Sequence, residues 1–155
     1  MQISAIEIYR AELPFQKVAG VPLRTWQSAS DIALVRVHGD DGRVGVGTGT
    51  AIGFYLGLTG GGLVDGLTTL ASVLVGQSPF DLEAIHGEME RLIKGHQAAR
   101  AAIDIALHDL MGQVVGRPVY DLLGGRSQTE PMPTTCFALY VDEPERMAAE
   151  VQRFY

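Results

Sequence analysis

A single cysteine, Cys136, is all the thiol chemistry that this 155-residue sequence contains. A lone cysteine closes no internal bridge, so a disulfide scaffold and a cysteine-built zinc site are both excluded, and a reducing cytoplasm is the expected setting. Positive charge is also scarce. Twelve Lys and Arg stand against eighteen Asp and Glu, for a net charge of −6. No basic run interrupts that balance, so nucleic acid is not an expected partner. No apolar stretch is long enough for a membrane span, and Met1-Gln2-Ile3-Ser4 lacks the basic and apolar regions of a secretory signal. The signatures G-x-S-x-G, H-E-x-x-H and G-x-x-x-x-G-K-[ST] are missing too, which leaves the usual nucleophile, zinc and nucleotide sites unrepresented.

What is present is apolar and periodic. Hydrophobic residues make up 46% of the chain and charged ones 19%, enough for one sizeable core. Ile3 to Leu13 alternates as a half-buried strand does, and Pro14 is expected to end it. Phe15 to Ser30 shows neither strand nor helix period and reads as a long loop. Ile32 to His38 and Val44 to Thr48 flank Gly39-Asp40-Asp41-Gly42, the composition of a tight hairpin turn. From Gly49 to Gly62 the sequence is glycine-rich and reads as a second mobile loop.

Helical spacing follows. Leu63, Leu67, Leu70 and Leu74 recur at steps of three and four, a second helix is expected from about Phe80 to Ile93, and a third from His96 to about Val115. The third carries the clearest stripe, Ala99, Ala102, Ile103, Ala106, Leu107, Leu110, Met111 and Val114, expected to pack closely on neighbouring helices. Gly116 and Pro118 stop it. A short helix Val119 to Leu123, a buried strand Pro133 to Val141 and a helix opening at Asp142-Glu143-Pro144-Glu145 complete the order. Strands first and helices after them give an α+β class: a three-stranded antiparallel meander followed by a helical bundle, over residues 1 to about 130.

Candidate chemistry is sparse. Arg100, Asp104 and His108 share one helix face, and His86 with Glu90 repeats the spacing. A proton relay or metal pair is one reading, but no third ligand is spaced to complete a metal site; a ladder of surface or interhelix hydrogen bonds is the other. His38, at the hairpin end, is expected in solvent. Gly60-Gly61-Gly62 before a helix suggests a phosphate cradle, yet the lysine or acidic ribose partner of such motifs is lacking. Lys17, Arg24 and Trp26 could meet an anionic, partly apolar ligand or simply pin a solvated loop. Cys136 reads as an inert buried thiol.

One stretch carries a resemblance. Ala98-Ala99-Arg100-Ala101-Ala102-Ile103-Asp104-Ile105-Ala106-Leu107-His108-Asp109-Leu110-Met111-Gly112, followed by Gly116-Arg117-Pro118-Val119-Tyr120-Asp121-Leu122-Leu123-Gly124-Gly125, resembles the last cap helix and following turn of the enolase superfamily, mandelate racemase/muconate lactonizing branch. Asp41-Gly42-Arg43-Val44-Gly45-Val46-Gly47 upstream and Asp142-Glu143-Pro144 downstream fit the same family in the same order. The resemblance implies an N-terminal capping domain over residues 1–130, then the first strand and helix of a (β/α)₇β barrel over 131–155. It also implies Mg²⁺-assisted removal of the proton α to a carboxylate, in a homo-oligomer acting on a small-molecule carboxylate or sugar-acid substrate. Thr48 and His108 stand where the family commonly has Gly-Glu-Ala and Trp. The first departure points toward sugar-acid dehydratase-like members and away from dipeptide epimerases and muconate lactonizers.

A complete barrel takes about 250 residues, and the resemblance implies that the acidic metal ligands and the catalytic bases come from its later strands. No catalytic residue and no metal ligand is therefore assigned in this chain, which alone is expected to be inactive. What carries over is the role of the cap loops, about Phe15 to Ser28 and Thr50 to Leu58, which close over the barrel mouth and select substrate. Arg24, Trp26, Thr50, Phe54 and Tyr55 are the candidate substrate-binding residues. A different reading makes the chain a non-catalytic interaction module or the remnant of a decayed gene.

Overall fold

The computed structural model describes residues 1–20, 26–126, 130 and 143–152, with backbone alone for 15–20, 26–28, 54, 150 and 151. Three strands, β1 (Ile3–Gly20), β2 (Trp26–Gly39) and β3 (Val44–Ala51), form an antiparallel sheet in the order β1-β2-β3. The expected hairpin turn is there: Gly39 donates to Arg43 O at 2.9 Å and Gly42 to Gly39 O at 3.2 Å. Six helices follow: α1 (Gly53–Leu56), α2 (Gly60–Ala71), α3 (Leu82–Leu92), α4 (Gln97–Val115), α5 (Val119–Leu122) and α6 (Pro144–Gln152).

One face of the sheet is closed by helices. Ala33, Val35 and Val37 of β2 are wholly buried, as strict alternation along a strand requires of its inner face. Opposite them α4 contributes Ala99, Ala102, Ile103, Ala106, Leu107 and Leu110, none with any exposed surface. The alanine stripe does bring close approach, but its main partner is the sheet rather than the neighbouring helices that the sequence suggested. The reason lies in β3, where Gly45, Gly47 and Gly49 take every second position on the inner face. A Cβ on Gly45 or Gly47 would fall against the carbonyl oxygens of Ala106 and Ala102, well inside 3.0 Å, and one on Gly49 would lie 2.7 Å from Ala98 O. Backbone therefore rests on backbone along three turns of α4.

Helices α2 and α3 flank this contact. Leu63, Leu67, Leu70 and Leu74 are each buried to within 1% of completely, worth about 1.5–3 kcal/mol apiece relative to exposure. Ile85 and Met89, one turn apart on α3, complete the cluster. The chain after α2 is tied back to the start of β1: Ile3 donates to Gln77 O and Gly76 to Ile3 O, both at 2.8 Å.

Three expectations change. Pro14 does not end β1, which continues to Gly20 with Pro14 paired to Ala29 and a register shift before Ala19. β1 is an edge strand, where a residue without an N–H costs no ladder bond. Most of the long loop from Phe15 to Ser30 is thus a two-stranded ribbon running past the end of β3. Its backbone pairs Ala19 with Gln27 and Gly20 with Trp26, although its sequence shows no strand period. The glycine-rich stretch is also ordered, as the end of β3, the single turn α1 and a helix that starts at Gly60, earlier than Leu63. His38, expected in solvent, has only 26% of its side chain exposed and places Nε2 3.1 Å from Glu7 Oε2. The strand expected at 133–141, with Cys136, lies outside the described residues.

Candidate functional site

Two projections stand together at one end of the sheet. Asp31 is the last residue of β2 with a partner in β3, Ala51. From there back to Trp26 the β1–β2 ribbon extends alone by about five residues, about 16 Å at strand rise. On the other side β3 ends and residues 52–59 form a short excursion built around α1. Tyr55 and Leu56 both donate to Ile52 O, at 3.3 and 2.7 Å, and this single turn presents Tyr55 with 78% of its surface exposed.

Of the candidate residues, Thr50 is half-buried on the last turnout of β3 and Tyr55 is exposed on α1 five residues later. Trp26 lies on the ribbon, paired with Gly20. Its side chain and that of Phe54 are outside the described residues, as are Arg24 as a whole and the side chain of Lys17. The backbone thus brings Trp26, Thr50, Phe54 and Tyr55 to one end of the sheet.

Sequence reading missed the pair at the root of both projections. Arg10 of β1 donates from Nε to Asp31 Oδ1 at 3.0 Å and from Nη2 to Oδ2 at 2.7 Å, a two-pronged contact of the strong kind. The guanidinium holds the Asp31 carboxyl below the usual carboxylate range against an opposing desolvation, and the N–H of Gly60 adds to the effect. Arg10 is itself held above the ordinary arginine value, by the same pair. Strand register is the only signal that could have found it: Arg10 pairs with Ala33 and Glu12 with Asp31, so the two charges are diagonal neighbours on one face. The pair also answers the phosphate-cradle idea. The first turn of α2 already has its acceptors, Asp31 near Gly60 and Thr59 Oγ1 for the N–H of Gly62 at 3.1 Å, so it does not stand open to an anion.

A second polar cluster joins α3 to α4 along a cleft of about 570 Å³. His86 Nε2 and Asp104 Oδ1 are 2.8 Å apart, and Glu90 binds both Lys94, at 2.8 Å, and Arg100. These cations, Lys94 foremost, hold the Glu90 carboxyl below its ordinary range. Arg100 also donates to the carbonyls of Met89 and Ile93 at the end of α3. His108 Nδ1 lies 2.9 Å from Asp104 O, and since a carbonyl only accepts, that nitrogen carries the proton. The two i,i+4 pairs are therefore spent on interhelix and intrahelix hydrogen bonds, the structural alternative left open by their spacing. Among the described residues no group of three or more His, Cys, Asp or Glu is placed to hold a metal ion.

Comparison with known proteins follows the same outline. The chain is 36% identical over 151 residues to the N-succinyl-L-Arg/Lys racemase of Bacillus cereus, covering 97% of this chain and 40% of that protein. It is 34% identical to the hydrophobic dipeptide epimerase of Enterococcus faecalis, covering 96% and 41%. A solved structure from Roseovarius nubinhibens, a mandelate racemase/muconate lactonizing enzyme complexed with magnesium, superposes with a TM-score of 0.91 at 33% identity, covering 99% of this chain and 41% of that one. The chain thus spans about two fifths of the length of the relatives it matches. A dehydratase and a cycloisomerase are also similar, but racemases and epimerases lead, against the direction in which Thr48 and the glycine-rich stretch pointed. Gly49 and Gly60 serve close packing here and carry no information about substrate. Residues 6–124 match the mandelate racemase/muconate lactonizing enzyme N-terminal domain, and the chain belongs to that family, of whose members it represents the N-terminal part.

Proposed function

We propose that this chain is the substrate-facing cap of an isomerase that inverts a carbon α to a carboxylate, in an N-acylated amino acid or a dipeptide. The observation that carries the reading is the convergence of the ribbon and the Tyr55 turn at one end of a rigid sheet-and-helix body. That is where a cap needs adaptable contacts if it is to enclose a ligand held by another domain. The names of the most similar relatives supply the substrate class, and they favour an amino-acid derivative over a sugar acid. Tyr55 offers a large apolar ring with a polar tip. In this reading Arg24 supplies positive charge toward a carboxylate, and Thr50, Trp26 and Phe54 complete the enclosure.

The acid–base groups and the Mg²⁺ ligands are assigned to the part of the family's length beyond this chain, and no step is derived through the metal here. The cap's share is to exclude water and fix the orientation of the ligand, which strengthens every electrostatic contact inside the closed site. In this reading the isolated cap, without the catalytic domain, is expected to turn nothing over.

The test joins the cap to its catalytic domain and incubates the enzyme with Mg²⁺ in D₂O, offering N-succinyl-L-lysine, N-succinyl-L-arginine and a panel of L,L-dipeptides. Loss of the α-proton signal with appearance of the opposite configuration is expected for at least one class. Loss of water from a hydroxylated acid without inversion would reassign the protein to the dehydratases. No exchange on any carboxylate would overturn the reading altogether.

A further inference from the structure

We infer that Asp31 is a clasp that holds both ends of the Tyr55-bearing segment. Its backbone pairs with Ala51, the last residue of β3, while its carboxylate lies against Gly60, the first residue of α2, where a Cβ would fall well inside 3.0 Å of Oδ2. Between those two points lie residues 52–59. One residue therefore meets both ends of an eight-residue segment, whose Leu58 also packs against the core. Its internal bonds, from Tyr55 and Leu56 to Ile52 O and from Gly57 to Gly53 O, stabilise one helical turn, which is far too short to persist unaided.

Two neighbours make the clasp specific. Arg10 grips both carboxylate oxygens and orients them toward α2. Gly60 permits the approach: a Cβ there would collide with Oδ2 and lie 2.5 Å from Arg10 Nε. The charge of Asp31 also sits at the positive end of α2, where a carboxylate is stabilised by the helix dipole. Replacing Asp31 by Asn removes the charge and one of the two acceptor oxygens while leaving the shape of the side chain, so the two-pronged Arg10 contact and the helix-dipole contribution are lost.

Because Arg10 and Asp31 also lie where the β1–β2 ribbon leaves the sheet, the clasp joins the roots of both projections. The inference deepens the cap reading without depending on it, since hydrogen exchange reports the clasp and turnover reports the cap.

Hydrogen exchange on the 155-residue chain tests it with Asp31→Asn and Arg10→Met. Both variants are expected to raise amide exchange at 53–60 by about tenfold or more, while the amides of Ala102, Ala106 and Leu110 in α4 keep their protection. Should Asp31→Asn fail to fold, Arg10→Met carries the measurement by itself, since it leaves the Asp31–Ala51 pairing intact. Wild-type exchange at 53–60 in a folded variant overturns the inference. So does an equal rise in α4, which would make the pair a general stabiliser and not a local clasp.

Discussion

Gly47 of β3 lies so close to the carbonyl of Ala102 in α4 that no side chain fits between them. The contact is made of backbone on both sides, so neither partner can rotate away to make room. Gly47→Ala is therefore expected to destabilise the chain by about 3 kcal/mol, the upper part of the range for overpacking. Gly61→Ala is the control: nothing lies within 4 Å of a Cβ there, and alanine in a helix gains about 0.5–1 kcal/mol over glycine. Urea denaturation of the two variants should move the midpoint in opposite directions, and a shared sign would refute the packing argument.

The Arg10–Asp31 pair predicts a definite pH dependence. Asp31 has its folded pKa below the ordinary 3.8, so the pair's contribution is complete above the unfolded value and disappears as pH falls through the lower folded one. The stability difference between wild type and Arg10→Met should thus be constant above about pH 5 and shrink below about pH 4. A difference that persists unchanged to pH 2 would mean that Arg10 acts through its aliphatic stem alone.

His86 and Asp104 should couple weakly but measurably across α3 and α4. Both side chains are partly exposed, 44% and 33%, which limits the gain to about 0.5–1 kcal/mol. A double-mutant cycle with His86→Ala and Asp104→Ala reads that number directly. Coupling indistinguishable from zero would leave Arg100, with its grip on the end of α3, as the main polar link between the two helices.

In the joined enzyme, Tyr55→Ala and Arg24→Ala are expected to lower kcat/KM by about tenfold, about 1.4 kcal/mol, without lowering the melting temperature. Tyr55 is exposed, so its removal leaves no cavity. If the melting temperature falls and turnover per folded molecule stays constant, these residues pin their segments and do not meet substrate.

How legible the fold was depends on whether its order comes from burial. The α4 stripe and the β2–β3 hairpin were readable because the core imposes a period, and glycine with aspartate imposes a turn. The extension of β1 past Pro14 was not readable, because proline reads as a strand end although an edge strand tolerates it, and the residues that follow show no strand period. The partner of α4 was misread for a related reason: alanine announces close approach and says nothing about what approaches, while of the matching glycines Gly45 and Gly47 read only as strand residues and Gly49 as the start of a loop. At the candidate site, Thr50 and Tyr55 were proposed from residue type and chain position, and the backbone places both at the end of the sheet where β3 stops. Arg10 and Asp31 were not, since they are 21 residues apart and meet only through strand register.

Fastening both ends of residues 52–59 at one aspartate has a consequence for protein engineering. A loop whose ends are already held together can change in length at little thermodynamic cost, about 0.6 kcal/mol for each doubling. Its contents are then a cassette: longer or differently charged inserts can be grafted between Ala51 and Leu58, which packs on the core, while Thr59 keeps its bond to Gly62 and the β3–α4 seam, where not even a methyl group is tolerated, stays untouched. Libraries aimed at new ligands belong in that cassette, with Arg10, Asp31 and Gly60 held constant as its frame.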